Sequence, residues 1–147
     1  MQTFKKILRG IGLTALTAIV LMVIVYIIML IDTNSVFNYA KDVFLGKVPH
    51  EEVAGTPLSM YDITKREYIT KVDLEISRAF TFHNFTDDYM YVRYDHTGYD
   101  DSGELRYGSV AEFPRWAIWK IHKEDGEWRI VKIREPQGSE TIFNIEY

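Results

Sequence analysis

The chain has 147 residues, 47% of them hydrophobic, and a formal net charge of −4 with no cysteine. The missing cysteine excludes disulfides, thiolate metal sites and cysteine nucleophiles. Once one membrane-spanning segment is set aside, the remaining length is enough for one compact domain and not for two.

Residues 11–31 form an uninterrupted run without a charged side chain. As a helix this run is about 30 Å long, which is the thickness of the hydrocarbon core of a bilayer. A buried helix of a soluble protein and a cleaved signal peptide are the alternatives. Core helices are usually shorter, and signal peptides have an apolar stretch of about 7–15 residues. We therefore predict an uncleaved signal-anchor, a transmembrane helix in contact with the lipid bilayer.

The charges on either side of this run predict its orientation. Lys5, Lys6 and Arg9 precede the run and no acid occurs before Asp32. The positive-inside rule then places residues 1–10 in the cytoplasm as a short tail and the rest outside the cell membrane. The 116 residues after the run carry a net charge of −7. Such an acidic domain is repelled by phosphate backbones, so we expect no nucleic-acid partner.

The chain then changes from helical to alternating periodicity. Apolar residues at helical spacing predict an amphipathic helix of about eleven residues before Gly46. Residues 47–57 are predicted to be a loop, and residues 58–70 are ambiguous between a helix and a loop. Beyond them, period-two alternation predicts strands at residues 71–83, 89–96, 105–113, 115–122 and 128–134.

These elements predict an α+β fold: an N-terminal transmembrane helix, then one or two helices packed on a curved antiparallel sheet of four to five strands. The dipeptide Asp125-Gly126 predicts a tight hairpin turn between the last two strands. Residues 136–147 are predicted to be a tail or an added edge strand. The predicted core consists of aromatic and aliphatic positions on the covered sheet face: Phe80, Phe82, Trp119, Ile121, Trp128 and Ile130.

The closing hairpin resembles the last hairpin of the nuclear transport factor 2-like superfamily. In it a Trp-x-Ile strand, Trp119 to Ile121, meets another, Trp128 to Ile130, across a turn with Lys, Asp and Gly. This superfamily includes ketosteroid isomerase, SnoaL-type polyketide cyclases and small membrane-tethered bacterial proteins. The resemblance implies a cone-shaped domain over residues 32–135. It transfers no catalytic residue, because the matching residues are structural.

Motifs of catalysis and metal binding are absent from the sequence. The four histidines are not spaced as metal ligands, and the acidic stretch at residues 95–104 lacks the register of an EF-hand. We therefore predict no catalytic residue, no metal and no cofactor. A row of tyrosines alternates along the second strand. With the neighbouring hairpin tip it gives a candidate partner surface, composed of Tyr89, Tyr91, Arg93, Tyr99, Asp100, Asp101 and Tyr107.

Three functions fit this organisation. We favour a single-pass membrane protein whose small, non-catalytic extracytoplasmic domain binds a protein partner or assembles a membrane complex. A small-ligand sensor that uses the cavity of the cone is the first alternative. An isomerase-like or cyclase-like enzyme is the second, and it requires a buried acid of raised pKa in an apolar pocket. The sequence predicts no oligomeric state.

Overall fold

The computed structural model describes the backbone of residues 2–81, 87–108, 114–141 and 145, and the side chains of residues 10–79, 88–108, 114–141 and 145. The chain divides into two compact units, residues 1–34 and residues 35–147.

The first unit is the helix α1, Gln2–Asp32. Its segment Gly10–Asp32 is long and apolar enough to cross a membrane, and most of its large hydrophobic side chains are exposed. The two threonines within the apolar run bond back to the helix: the hydroxyls of Thr14 and Thr17 donate to the carbonyls of Gly10 and Leu13, at 3.0 and 2.9 Å. These polar groups are therefore satisfied without water, as a bilayer requires.

The second unit begins with helical segments. Helix α2, Asn34–Phe44, buries one apolar face, as its periodicity predicts. The region predicted to be a loop contains a one-turn helix α3, His50–Val53, and the ambiguous region contains only a 3₁₀ turn, Pro57–Tyr61.

An antiparallel sheet of five strands follows, in the order β1-β2-β4-β5 with β3 paired to the end of β2. The strands are β1 (Lys71–Thr81), β2 (Asp87–Tyr99), β3 (Leu105–Tyr107), β4 (Arg115–Glu124) and β5 (Glu127–Arg134). Strand β3 ends at Tyr107, since Gly108 lies in a bend, and the rest of its predicted range, residues 109–113, lies outside the described residues. The α+β class, with two helices and a five-stranded antiparallel sheet after an N-terminal apolar helix, is confirmed.

The last hairpin closes as its Asp-Gly dipeptide predicts. Asp125 and Gly126 have positive φ angles of 52° and 84°, and Glu124 pairs with Glu127 across the turn. A bulge between Lys120 and Ile121 shifts the register further along the hairpin.

The main core lies between the helical segments and one face of the sheet. We call the face that carries Met90, Val92 and Tyr94 the inner face, and the one that carries Tyr89, Tyr91 and Arg93 the outer face. The rings of Phe37 and Phe44 in α2 approach Trp119 with centroids 6.3 Å away. Four of the six predicted core residues are buried: Trp119, Ile121, Trp128 and Ile130. The Phe80 side chain and Phe82 lie outside the described residues.

The C-terminal segment covers one end of the outer face. The Glu140 carboxylate accepts two hydrogen bonds of 2.6 Å from the Arg134 guanidinium and a third of 2.6 Å from the Gln137 amide. Further along, Ile145 packs with Tyr89 and Ile118. The described residues of 136–147 contain no strand, and ionic and apolar contacts attach them to the domain.

Candidate functional site

The space between α2 and the inner face contains aromatic rings in direct contact. Phe44 stacks on Tyr61 with centroids 4.0 Å apart and meets the ring of Tyr94 at 5.3 Å. The indole Nε1 of Trp119 donates a 3.3 Å hydrogen bond to the hydroxyl of Tyr61. Burial raises the pKa of both Tyr61 and Tyr94. The hydrogen bond from Trp119 offsets this in part for Tyr61, and the hydrogen bond with Tyr61 offsets it in part for Tyr94. Both phenols are therefore neutral at physiological pH.

His96 belongs to the same inner layer. Its ring makes edge-on contacts with Phe44 and Tyr107, each with centroids 4.9 Å apart. Only 6% of the residue is exposed, and burial lowers its pKa from 6.5 to about 4. The Phe44 backbone opposes this shift, but within the described residues neither ring nitrogen makes a hydrogen bond of standard geometry. His96 is therefore neutral at pH 7 and only a weak base.

A second histidine lies beside a buried carboxylate, and the sequence did not predict this pairing. Nδ1 of His50 is 2.6 Å from Oδ2 of Asp62, whose side chain is 3% exposed. The other oxygen, Oδ1, accepts hydrogen bonds from the Thr64 amide and hydroxyl. Burial tends to raise the pKa of Asp62, but the hydrogen bonds from Thr64 and His50 lower it overall. The pair joins α3 to the end of the 3₁₀ turn.

The acidic hairpin tip is held by its own hydrogen bonds. Asp100 Oδ1 accepts from the amide and hydroxyl of Ser102 and from the amide of Glu104. Arg106 Nε donates to the other oxygen, Oδ2, at 2.8 Å. These donors hold the pKa of Asp100 well below its usual range. No group of three or more metal-ligating side chains occurs in the part of the chain that the structure describes.

The outer face presents an exposed aromatic and cationic cluster. Trp116 is 42% exposed, and its ring lies 5.0 Å from that of Tyr91. The guanidinium carbon of Arg93 is 5.9 Å from the Trp116 ring centroid. We call Tyr91, Arg93 and Trp116 the outer-face site. A pocket of about 490 Å³ adjoins it, lined also by Ser77, Arg78, Ala79 and Thr141.

The candidate surface residues from the sequence fall into separate regions. Tyr91 and Arg93 belong to the outer-face site, while Tyr89 is buried against Ile118 and Ile145. The other four candidate residues lie towards the opposite end of β2: Tyr99, Asp100, Asp101 and Tyr107. Tyr107 packs there against His96.

Trp116 is the member of the outer-face site that sequence reasoning did not single out. The available signal was alternation along β4, since Trp116 and the buried Trp119 differ by three positions and so lie on opposite faces of a strand.

Comparisons with protein-family models, with curated proteins and with solved structures found no match for this chain. The relation to the nuclear transport factor 2-like superfamily therefore stays a prediction.

Proposed function

We propose that this chain is a single-pass membrane protein that presents a small, non-catalytic domain outside the cell membrane and binds a protein partner through the outer-face site. The observation that carries the proposal is the half-exposed Trp116 beside Tyr91 and Arg93. Tryptophan, tyrosine and arginine are the residues most enriched among those that dominate the energy of protein interfaces. A cluster of all three on one sheet face, with Trp116 and Arg93 exposed and Tyr91 half-buried, therefore favours a partner-binding role.

The connection between the two units supports a tethered domain. Helix α1 ends at Asp32 and α2 begins at Asn34. The three steps from Asp32 to Ser35 span at most about 10 Å of extended chain. If α1 crosses the bilayer, the domain is therefore held next to the lipid headgroups, where a partner in the same membrane meets it at high effective concentration.

The non-catalytic part of the proposal is supported by the inner layer. The aromatic rings there contact one another directly, and three of its titratable groups, Tyr61, Tyr94 and His96, are neutral at pH 7. The isomerase-like function would also need an apolar pocket around a buried acid, and the buried carboxylate of the inner face, Asp88, is the residue that it would use.

Membership of the nuclear transport factor 2-like superfamily is also proposed. It is supported by the order of elements, helical segments followed by an antiparallel sheet, and by the closing hairpin with Trp119, Ile121, Trp128 and Ile130 buried.

A small-ligand sensor is the second candidate. The pocket beside the outer-face site, about 490 Å³, has the size of a typical ligand site. In that case the occupant is a small molecule held by Arg93 and the two rings.

Photocrosslinking of the full-length protein in its native membrane tests the proposal. A photoreactive amino acid at position 116 is expected to give an adduct with a protein, and the same group at Tyr68, which is 53% exposed, is not. Arg93→Ala should reduce the adduct at least several-fold, whereas Arg129→Ala, at a side chain that is 61% exposed, should leave it unchanged. Adducts with small molecules alone would favour the sensor. Equal protein adducts at positions 116 and 68 would contradict a specific site.

A further inference from the structure

Strand β1 forms one edge of the sheet. Its eleven residues pair continuously with β2, and no other described strand pairs with it. Globular proteins usually protect such an edge with charged side chains, a short strand, a proline or a bulge. Strand β1 carries charges, but it is about twice the usual length, contains no proline and keeps one register with β2 throughout. The backbone N–H and C=O groups of β1 that point away from β2 are therefore suited to pairing with another strand.

The side chains of this edge are incompletely covered. Val72, Leu74 and Ile76 form a row on the inner face, and all three are only half-buried. On the outer face, Lys71, Asp73 and Glu75 are exposed. An added strand would therefore cover apolar surface on one face, provided that its charges on the other face are compatible.

A second copy of β1 satisfies this condition. When two copies run antiparallel with Ile76 opposite Ile76, all eleven residues pair. Glu75 then lies opposite Ser77 and Leu74 opposite Arg78, and no two like charges are directly opposed. A slip that places Glu75 opposite Glu75 brings two carboxylates together, which is unfavourable. A slip that places Ser77 opposite Ser77 leaves Lys71 and Val72 unpaired.

We propose that a second copy of this chain binds to the edge of β1 that faces away from β2, as an antiparallel strand centred on Ile76, which joins two domains through one continuous sheet. Ile76 then contacts Ile76 of the other copy on the inner face, where Leu74 lies opposite Arg78 and Val72 lies opposite position 80. Because both copies are anchored in the same bilayer in the proposed function, their effective concentration is high and a modest interface suffices. The outer-face site is not part of this contact, so either proposal can fail while the other holds.

Cysteine crosslinking in membranes tests this register, since the chain has no cysteine of its own. Directly opposed residues of antiparallel strands have Cα atoms about 4.5–5.5 Å apart, which is within the range of a disulfide. The full-length Ile76→Cys variant should form covalent dimers under mild oxidation. Val72→Cys is the matched control, because it lies on the same face with similar burial. Its two copies would be about 27 Å apart.

We expect at least ten times more dimer from Ile76→Cys than from Val72→Cys. Equal dimer from both, or none from Ile76→Cys, would overturn the proposal.

A charge-pair test guards against an effect of the cysteine itself. In the Ile76→Cys background, Ser77→Glu should reduce dimer several-fold, because each new carboxylate lies opposite Glu75 of the other copy. Adding Glu75→Lys should restore it, since lysine then faces glutamate. If Ser77→Glu leaves the dimer unchanged, or if Glu75→Lys does not restore it, the proposed register is wrong.

Discussion

His96 is the residue whose chemistry the fold alters most clearly. It lies on β2 between the rings of Phe44 and Tyr107, with 6% of its surface exposed. Burial is the largest cause of its lowered pKa, about 4. The nearby positive charges of Arg66 and Arg115 add to the shift, while the Phe44 backbone and the Asp95 carboxylate oppose it. The folded protein therefore resists protonation of this ring more than the unfolded chain does.

This pKa shift predicts a loss of stability in acid. Because the pKa is lower in the folded state, the contribution of His96 is complete above pH 6.5 and is lost as the pH falls towards 4. The free energy of unfolding should fall by about 2 kcal/mol from pH 7.5 to pH 5 through this residue alone. Tryptophan fluorescence during urea unfolding measures this, because all three tryptophans lie between residues 116 and 128. The free energy of unfolding of His96→Phe should lack this part of the pH dependence. An equal fall in the free energy of unfolding of parent and variant would contradict the assignment of this effect to His96.

Other residue-level features could not be predicted from the sequence. His50 and Asp62 are twelve positions apart in segments with little periodicity, so no spacing rule brings them together. The acidic stretch around Asp100 has the composition of a cation site. Only the geometry shows that backbone amides, Ser102 and Arg106 donate hydrogen bonds to the Asp100 carboxylate. Residue type alone predicts neither the His50–Asp62 pair nor the hydrogen bonds of Asp100.

At the scale of elements, the hairpin between β4 and β5 depends on its two-residue turn. Gly126 has φ = 84°, a conformation in which a β-branched residue is strained by about 1–3 kcal/mol, although a Cβ added there would meet no atom beyond its chain neighbours within 4 Å. Gly126→Val should lower the free energy of unfolding by that amount. Gly126→Asn is the control, because asparagine tolerates positive φ, and should cost much less. Urea unfolding of both variants measures the difference; equal stability would mean that the turn conformation is wrong.

Element prediction succeeded where one face of an element is buried over many residues. Helix α2 and the strands β1, β2, β4 and β5 were all found from periodicity, since burial repeats every 3.6 or every 2 residues. The short α3 and the 3₁₀ turn were missed because one turn shows no period. Strand β2 continues to Tyr99, beyond its predicted end, through Thr97 and Gly98. These residue types normally indicate a turn, but here they pair with Val72 and Asp73 of β1.

At the scale of the whole molecule, charge and apolarity are divided along the chain. Three basic residues precede the candidate membrane span Gly10–Asp32 and the residues that follow residue 31 carry a net charge of −7. Moving those basic residues across a membrane is disfavoured, and the acidic remainder has little effect on orientation. The proposed function depends on this orientation, because the outer-face site and the β1 edge both belong to the second unit.

Cysteine labelling in spheroplasts tests that orientation most directly, because the chain contributes no background thiol. Ser102→Cys, at an exposed position of the hairpin tip, should react with a membrane-impermeant maleimide in intact spheroplasts. Gln2→Cys should react only after the membrane is permeabilised. The reverse pattern would place the domain in the cytoplasm and contradict the proposed function. Labelling of both positions before permeabilisation would show that residues 11–31 do not span the membrane.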